Sequence, residues 1–412
     1  MEQRTSDRYA GATTEFERDV VELLRETMKA VAKQEREDVG TESVLYVLVS
    51  GDSAAGSAIA PGMRASGSLG GSIGCRGTSV WVSDDSGDGS TGTEDDEREI
   101  DAFWREVRCE EVKRLRWKNR KKKEGVKEGE EQASIELPPM TGALRACLRK
   151  ALEAAREEGA ISVRVSHVAR AMFELPDTRA REAMVVEKLD VSAASAALDA
   201  LRGCDEAPEP ATVLGLRKAG TFGKSGNPLT RKFMAWILGG GAGFGSAVVG
   251  VVRSEARRGV VRRGASEMEP VDVLLGILSL DRSLTVAGRE LPEKLTGANQ
   301  GAELLRRYGA RQDAVARVLL PSTGVVEEEP PEVAGAADFD QRLLHVTQLT
   351  ASAQGSPTVG TTHLLAALLD EAGTDAESAA EIERVLTEVG VDVAGLRAEP
   401  DLQVPGGTAQ AA

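Results

Sequence analysis

Histidine and cysteine, the side chains that most often serve as nucleophiles, general bases or metal ligands, are scarce in this sequence. The 412 residues include three His and four Cys. His167 and His363 occupy equivalent places just inside two predicted helices, with no Cys or acidic residue at metal-ligand spacing. A repeated position favours a repeated structural role, such as a hydrogen bond to the adjacent loop. No Ser-His-Asp or Cys-His group can be assembled, so we predict no catalytic residue, no metal and no cofactor.

The cysteines favour a reducing compartment. Cys75, Cys109, Cys147 and Cys204 lie far apart without a CxxC pair, which disfavours a disulfide framework and a zinc site. Cys147 is expected in the core of a predicted helix pair. The opening segment MEQRTSDRYAGATTE has no apolar h-region, so we predict no signal peptide and a cytoplasmic location.

One glycine-rich stretch falls short of a nucleotide-binding loop. A Walker A loop needs G-x-x-x-x-G-K-[ST] so that backbone N–H groups surround the phosphates. Residues 220–225 are GTFGKS, in which the first Gly is too close to the second, and no apolar strand precedes them. We interpret the stretch as part of a flexible linker.

The amino-acid composition limits both the fold class and the classes of partner that we expect. Apolar residues make up 41 % of the chain but aromatic residues only 3 %. Aliphatic, Ala-rich cores favour helix on helix over a β-sandwich, so we predict an all-α fold. The formal net charge of −15 argues against bulk affinity for nucleic acid. Neither nucleic acid nor a membrane is an expected partner.

The elements that would position any site are four helices that begin with a similar phrase. Residues 358–369 are TVGTTHLLAALL, in which Thr361 can cap a helix and four leucines form one apolar stripe. Related phrases occupy 39–49, 163–173 and 268–278, each after a helix-patterned segment. A short closing helix recurs after three of the four phrases.

These phrases predict four copies of a helical unit that cannot cover its own apolar stripe and therefore pairs with another copy. We predict two helical bundles, each a pair of pseudo-twofold-related repeats, with a partly disordered insertion in the first. The predicted boundaries are a first domain over 13–203 (repeats 13–65 and 138–203, insertion 66–137), a linker over 204–227, a second domain over 228–400 (repeats 228–320 and 336–400) and a disordered tail over 401–412.

The phrases and their flanks resemble the amino-terminal repeat domain of Clp-family AAA+ unfoldases, the Clp N or Clp R domain. The segments that carry the resemblance are VGTES (39–43), RSEARRG (253–259), VGTTHLLAALL (359–369) and EVGVDVAGLRAE (388–399), and it is absent from 66–135. The resemblance implies an all-α domain of paired repeats that recruits substrates, adaptors and, in some members, arginine-phosphorylated proteins or cyclic peptide antibiotics. The ATPase modules of that family have no counterpart in this sequence.

The resemblance also suggests ligand-binding residues. In relatives that bind phosphoarginine, the Thr and Glu of GTEH contact the ligand: a carboxylate binds a guanidinium, and a helix start favours phosphate. Thr41 and Glu42 preserve this pair, whereas the last copy has Thr361, Thr362 and His363 and lacks the carboxylate. We treat these five residues as candidate ligand-binding residues. The alternative for Thr41 and Glu42 is a helix cap followed by a dipole-favoured acid.

The predicted insertion has two parts. Residues 66–97 are rich in Gly, Ser and Asp and lack the apolar content to fold alone, so we predict disorder. Residues 98–123 predict one helix, whose apolar stripe includes Phe103 and Trp104 and whose basic end includes Trp117. Three interpretations stay open: a helix docked on the first domain, a partner-binding helix, or a contact with nucleic acid or an anionic membrane. We expect the helical fold to survive removal of the insertion.

Residues 233–252 carry no charged side chain, and such a run is long enough to span a bilayer. Three consecutive glycines at 239–241 interrupt it, and the repeat pattern requires a helix from 246 onward. We therefore predict two helices around a glycine hinge, with a transmembrane segment as the alternative.

We expect a non-catalytic protein- or peptide-binding module that acts as an adaptor or a ligand-sequestering decoy for a Clp protease system. Its expected partners are Clp protease components or their substrates. The alternative is a scaffold or regulatory protein whose repeats hold partners together and whose helix over 98–123 contacts nucleic acid or an anionic surface. Salt-dependent binding to DNA would favour this alternative, and salt-tolerant binding to a Clp substrate would favour the first hypothesis.

Overall fold

Helices form almost all of the secondary structure in the computed structural model, which describes residues 15–76, 80–87, 92–123, 135–202, 209–223, 227–236, 246–321 and 341–403. These residues divide into two compact units, one within 15–202 and the other within 209–403. Across the described ranges, strands are limited to one parallel pair, β1 (Glu15–Phe16) and β2 (Ser162–Val163). The prediction of an all-α fold is confirmed.

The first unit has one hydrophobic core enclosed by helices of 6 to 30 residues. In chain order they are α1 (Arg18–Lys33), α2 (Thr41–Ser50), α3 (Ala54–Ile59), α4 (Gly62–Cys75), α5 (Glu94–Lys123), α6 (Gly142–Glu157), α7 (Val165–Glu174), α8 (Arg179–Val186) and α9 (Val191–Asp199).

Backbone pairing in the first unit is reciprocal. Phe16, ahead of α1, pairs with Val163, ahead of α7, and Val39, ahead of α2, pairs with Met140, ahead of α6. Helix α1 packs on α2, and α6 packs on α7. The segment that leads into each long helix therefore lies beside the segment that leads into the short helix of the other pair.

The second unit has its own hydrophobic core. Its helices are α10 (Ala211–Lys218), α11 (Pro228–Ala235), α12 (Ala247–Arg263), α13 (Pro270–Val286), α14 (Glu293–Thr296), α15 (Gly301–Arg307), α16 (Gln312–Leu319), α17 (Gln341–Ala353), α18 (Thr361–Leu369), α19 (Ala376–Glu388) and α20 (Val393–Arg397). Two 3₁₀ turns, Gly297–Asn299 and Pro400–Leu402, complete it. Helix α12 packs on α13, and α17 packs on α18, so in both units a helix packs on the phrase helix that follows it.

Helix α4 corrects the prediction of disorder over 66–97. Leu69 and Ile73 lie one turn apart on α4 and are fully buried against the first core. Gly70 brings α4 close to α2, because a Cβ at that position would be only 3.3 Å from the Ser50 Oγ atom. A helix of small residues can approach its neighbour closely, so few apolar side chains suffice to dock it.

Helix α5 is docked on the first unit by its apolar stripe, which was the first of the three interpretations. Phe103 is fully buried and its ring stacks on Phe16, with 4.2 Å between the ring centroids. Trp104 is 5 % exposed. Phe103 and Trp104 are therefore not accessible to a partner, because they form part of the first core. Survival of the helical fold after removal of the insertion stays a prediction, and this burial argues against it.

Helix α10 corrects the linker prediction, since it lies inside 204–227. Val213 and Leu216 of this helix are fully buried in the second core. The tail prediction is also wrong at its start, because Leu402 is only 7 % exposed and packs in the same core. Residues 404–412, where the rest of the predicted tail lies, are outside the described residues.

The uncharged run over 233–252 contributes to two helices. Helix α11 includes only the start of the run, because it ends at Ala235. Helix α12 contains the end of the run and places Val248, Val249 and Val252 in the second core. The intervening residues 237–245 lie outside the described residues. Within the described part of the chain, no helix combines the length and the apolar character that crossing a membrane requires.

Replacing Phe103 with Ala should destabilise the first unit by about 3–5 kcal/mol, because the change removes a stacked, fully buried ring and leaves a cavity. Denaturant unfolding followed by tryptophan fluorescence measures the loss, since Trp81, Trp104 and Trp117 all lie in this unit. Trp117→Ala on the same helix is the control: this side chain is 58 % exposed, and the change should cost less than about 0.5 kcal/mol. If Phe103→Ala loses as little stability as Trp117→Ala, α5 is not part of the core.

Candidate functional site

The five predicted ligand-binding residues are all buried and bonded within the chain. Thr41 and Glu42 have no exposed surface, and Thr361, Thr362 and His363 are at most 3 % exposed. Thr41 and Thr361 were predicted to cap their helices, but Gly40 and Gly360 hold the cap positions. The two threonines are instead the first helical residues, and their hydroxyls are bonded to other segments.

Asp85 is the centre of the cluster at the start of α2. Its carboxylate accepts hydrogen bonds from the Thr41 N–H at 2.9 Å and from the Thr41 hydroxyl at 2.7 Å. It also accepts from the Thr141 hydroxyl at 2.7 Å and from the Arg179 N–H at 3.1 Å. Each carboxylate oxygen therefore has two donors, which a fully buried charge requires.

These donors come from the amino-terminal ends of three helices. Thr41 and Arg179 are the first residues of α2 and α8, and Thr141 caps α6 through a bond from the Leu144 N–H. The Asp85 carbonyl also accepts the Ala143 N–H at 2.8 Å. A negative charge is stabilised where the positive ends of helix dipoles converge, so Asp85 joins α2, α6 and α8 at one point.

Glu42 lies beside this cluster in a second set of charges. Its Oε1 atom pairs with Arg36 Nη1 at 2.7 Å, and Arg179 Nη1 is 3.9 Å away. Arg179 makes its closer pair with Asp38, at 2.7 Å. Burial, together with the Asp85 charge, raises the pKa of Glu42, whereas Arg179 and Arg36 oppose the rise. Among the described residues, no donor reaches Glu42 Oε2.

The start of α18 in the second unit repeats this arrangement with a neutral side chain. Asn299 Oδ1 accepts the Thr361 N–H at 3.0 Å, as Asp85 accepts that of Thr41. The Thr361 hydroxyl accepts the Gly301 N–H at the start of α15 at 3.2 Å. In the first unit the Thr41 hydroxyl accepts the Ala180 N–H of α8 at 3.1 Å. The Thr362 hydroxyl accepts a further N–H, that of Gln300, at 2.8 Å.

The glycine of each GT phrase is required by close approach. A Cβ at Gly40 would lie 2.2 Å from Glu42 Oε2, and one at Gly360 would lie 2.1 Å from the Ala298 carbonyl oxygen. A larger residue at Gly360 would push the segment that contains Ala298 away from the helix start, and one at Gly40 would displace the buried Glu42 carboxylate. This explains physically why both phrases contain Gly before Thr.

The predicted structural role of the two equivalent histidines is confirmed. His167 Nδ1 accepts the Arg164 N–H at 2.9 Å, and His363 Nδ1 accepts the Gly360 N–H at 3.0 Å. Both rings thus bond back to the residue that precedes their helix. Burial lowers the pKa of both histidines, which agrees with the neutral ring that an accepting Nδ1 requires.

Sequence reasoning missed Asp272, which occupies the matching position of α13. Its Oδ2 atom accepts the Glu269 N–H at 2.9 Å and pairs with Arg263 Nη2 at 2.8 Å. The position was detectable, because aligning the four phrases places Asp272 under His167 and His363. Asp85 was also missed, and no local signal marks it within its Ser- and Asp-rich segment.

The arrangement holds buried charged side chains in hydrogen bonds and ion pairs. Across the described ranges, no three His, Cys, Asp or Glu side chains are grouped as a metal site would need. Cys147 is a buried core residue, as predicted, and its Sγ atom donates to the Val168 carbonyl at 3.3 Å. Cys204 lies outside the described residues. No family model, no curated protein and no solved structure matches this chain.

Replacing Asp85 with Ala should destabilise the first unit by about 3 kcal/mol or more, because it leaves donors at three helix starts without an acceptor. Asp84→Asn is the matched control, since its side chain is exposed and should tolerate the change within about 0.5 kcal/mol. Chemical denaturation with tryptophan fluorescence measures both. A cost for the Asp85 variant as small as the control's would contradict the role assigned to this carboxylate.

Replacing His363 with Gln should flatten the acid side of the stability profile of the second unit. Because burial lowers the folded pKa of His363, the unfolded chain binds the proton first, so stability is lost as the pH falls below about 6.5. Glutamine can accept the Gly360 N–H but does not titrate. Thermal melts between about pH 7.5 and pH 5 test this. A His363→Gln profile that keeps the acid slope of the wild-type chain would contradict this assignment.

Proposed function

We propose that this chain is a non-catalytic protein- or peptide-binding module of the Clp amino-terminal type, acting as an adaptor or decoy for a Clp protease system. The proposal combines the sequence resemblance with the packing of the phrase helices. In that family the repeat domain recruits partners, and the phrases of this chain are the segments that carry the resemblance. Binding of a protein or peptide is therefore the activity that we assign to it.

Three geometric observations support paired repeats. Each phrase helix packs on the helix before it, in all four copies. The backbone bridges of Phe16 and Val39 exchange between the two halves of the first unit. The bonds of Thr41 to α8 and of Thr361 to α15 are similar, since each joins one phrase to the start of a helix that follows the other phrase of its unit. These three observations are what we expect if each unit consists of two related helix pairs.

The observation that carries the binding proposal is a group of exposed valines in the first unit. Val82 is 94 % exposed and Val185 is 66 % exposed. The two are close because Glu182, one turn before Val185 on α8, accepts the Val82 N–H at 2.9 Å. Val186 is also exposed, at 40 %. We call Val82, Val185 and Val186 the valine patch. Clustered exposed apolar side chains mark sites where a partner binds.

The valine patch fits an apolar polypeptide segment that also carries basic residues. Asp84, two residues after Val82, has an exposed carboxylate, whereas Glu187, next to Val186, is half-buried and accepts a hydrogen bond from the Ser68 hydroxyl. Side chains of residues 81–86 alternate, with Trp81, Ser83 and Asp85 inward and Val82 and Asp84 outward. The buried bonds of Asp85 thereby hold the outward valine in place. The predicted site at Thr41 and Glu42 positions this surface rather than binding a ligand while Asp85 occupies it.

Fluorescein-labelled casein, an unfolded polypeptide, is a suitable probe for the valine patch. The double variant Val82→Asp/Val185→Asp should bind casein at least tenfold more weakly than the wild-type chain by fluorescence anisotropy, because two charges replace the apolar contact. Leu349→Asp is the matched control: Leu349 is 55 % exposed but lies in the second unit. Circular dichroism checks that all variants fold. No casein binding, or equal binding by both variants, would refute the proposal.

A further inference from the structure

Helix α11 in the second unit presents an apolar face to solvent. Leu229 is 74 % exposed, and Phe233 and Trp236 are each 58 % exposed. The three residues are spaced i, i+4 and i+7, so they lie on one side of the helix. The rings of Phe233 and Trp236 are stacked, with 6.4 Å between their centroids. We call these three residues the α11 face.

The charge around the α11 face is opposite to that of the chain. The formal net charge is −15, yet no Asp or Glu occurs between Glu209 and Glu255. Lys232 is exposed on α11, and Lys218 is exposed at the end of α10, which packs on α11. A row of exposed apolar and aromatic side chains is thus accompanied by lysines, with no acid in the same stretch.

We propose that the α11 face docks on the surface of an anionic lipid bilayer. Trp and Phe prefer the boundary between headgroups and acyl chains, and nearby lysines are attracted to anionic headgroups. The face is a single ridge of three side chains, which can enter a fluid interface directly. A protein partner would need a matching groove. This inference is independent of casein binding by the valine patch, and it revises the expectation that membranes are not partners.

The basic end of α5 is a weaker candidate for the same contact. Its exposed aromatic residue is Trp117 alone, because the apolar stripe of α5 is buried in the first core. Glu106, Glu110 and Glu111 lie on the same helix among the basic residues. Of these two basic segments, only α11 combines several exposed apolar side chains with positive charge that no acidic residue interrupts.

Co-sedimentation of the full chain with lipid vesicles tests the proposal. Vesicles of phosphatidylcholine mixed with phosphatidylserine should pull down the wild-type chain, whereas pure phosphatidylcholine should pull down at least tenfold less. Phe233→Ser/Trp236→Ser should reduce binding to the mixed vesicles by about tenfold or more, because both inserted rings are lost. Lys218→Gln and Lys232→Gln should each reduce it about fivefold and should weaken its dependence on salt.

Two substitutions serve as controls. Trp117→Ser removes a tryptophan of the first unit that is 58 % exposed, as Trp236 is. Leu349→Ser removes an exposed leucine from the second unit, which also contains α11. Both should sediment like the wild-type chain. The proposal is overturned if the anionic vesicles fail to bind the chain, if neutral vesicles bind it equally, if the Phe233/Trp236 double variant binds normally, or if Trp117→Ser alone abolishes binding.

Discussion

The first unit depends on one buried carboxylate placed where three helices begin. Removing a charge from water is costly, and the cost is offset here by four hydrogen bonds to Asp85 and by the positive ends of α2, α6 and α8. Asp85 has a positive φ of 57°, and in this conformation its carbonyl accepts the Ala143 N–H of α6 while its carboxylate bonds to the starts of all three helices. Asp is among the few residues that tolerate this conformation. One residue therefore sets the relative positions of three helices.

The second unit meets the same requirement without a charge. Asn299 takes the place of Asp85 at the start of α18, and it accepts one N–H of that helix through its neutral amide oxygen. The Thr361 hydroxyl accepts the Gly301 N–H, as the Thr41 hydroxyl accepts that of Ala180, and the Thr362 hydroxyl additionally accepts the Gln300 N–H. A neutral acceptor has a smaller desolvation cost and needs fewer partners. Equivalent helix starts are thus covered in both units, by a charged network in one and a neutral network in the other.

Covering these helix starts changes where the chain can meet a partner. The polar residues that the resemblance assigns to ligand binding are engaged in holding α2 and α18 against neighbouring segments. Two groups of exposed apolar side chains remain accessible instead, the valine patch, which includes the end of α8, and the α11 face. In the first unit the two roles are linked, because Asp85 and Val82 belong to one short segment with alternating buried and exposed side chains. Structural stability and an outward surface therefore arise from alternate residues of the same segment.

The sequence by itself determined the helical class, the phrase helices and the capping role of His167 and His363, because these depend on apolar period and on bonds between residues within one turn. Only the tertiary structure decided whether the polar and glycine-rich segments fold and pack against the cores. Asp85 contacts residues 44, 56 and 94 positions away in the chain, and Leu69 and Phe103 reach a core built from distant helices. The low apolar content of 66–97 led to the prediction of disorder. That prediction was wrong for α4 because composition shows which residues a segment has but not which partners the fold brings to it.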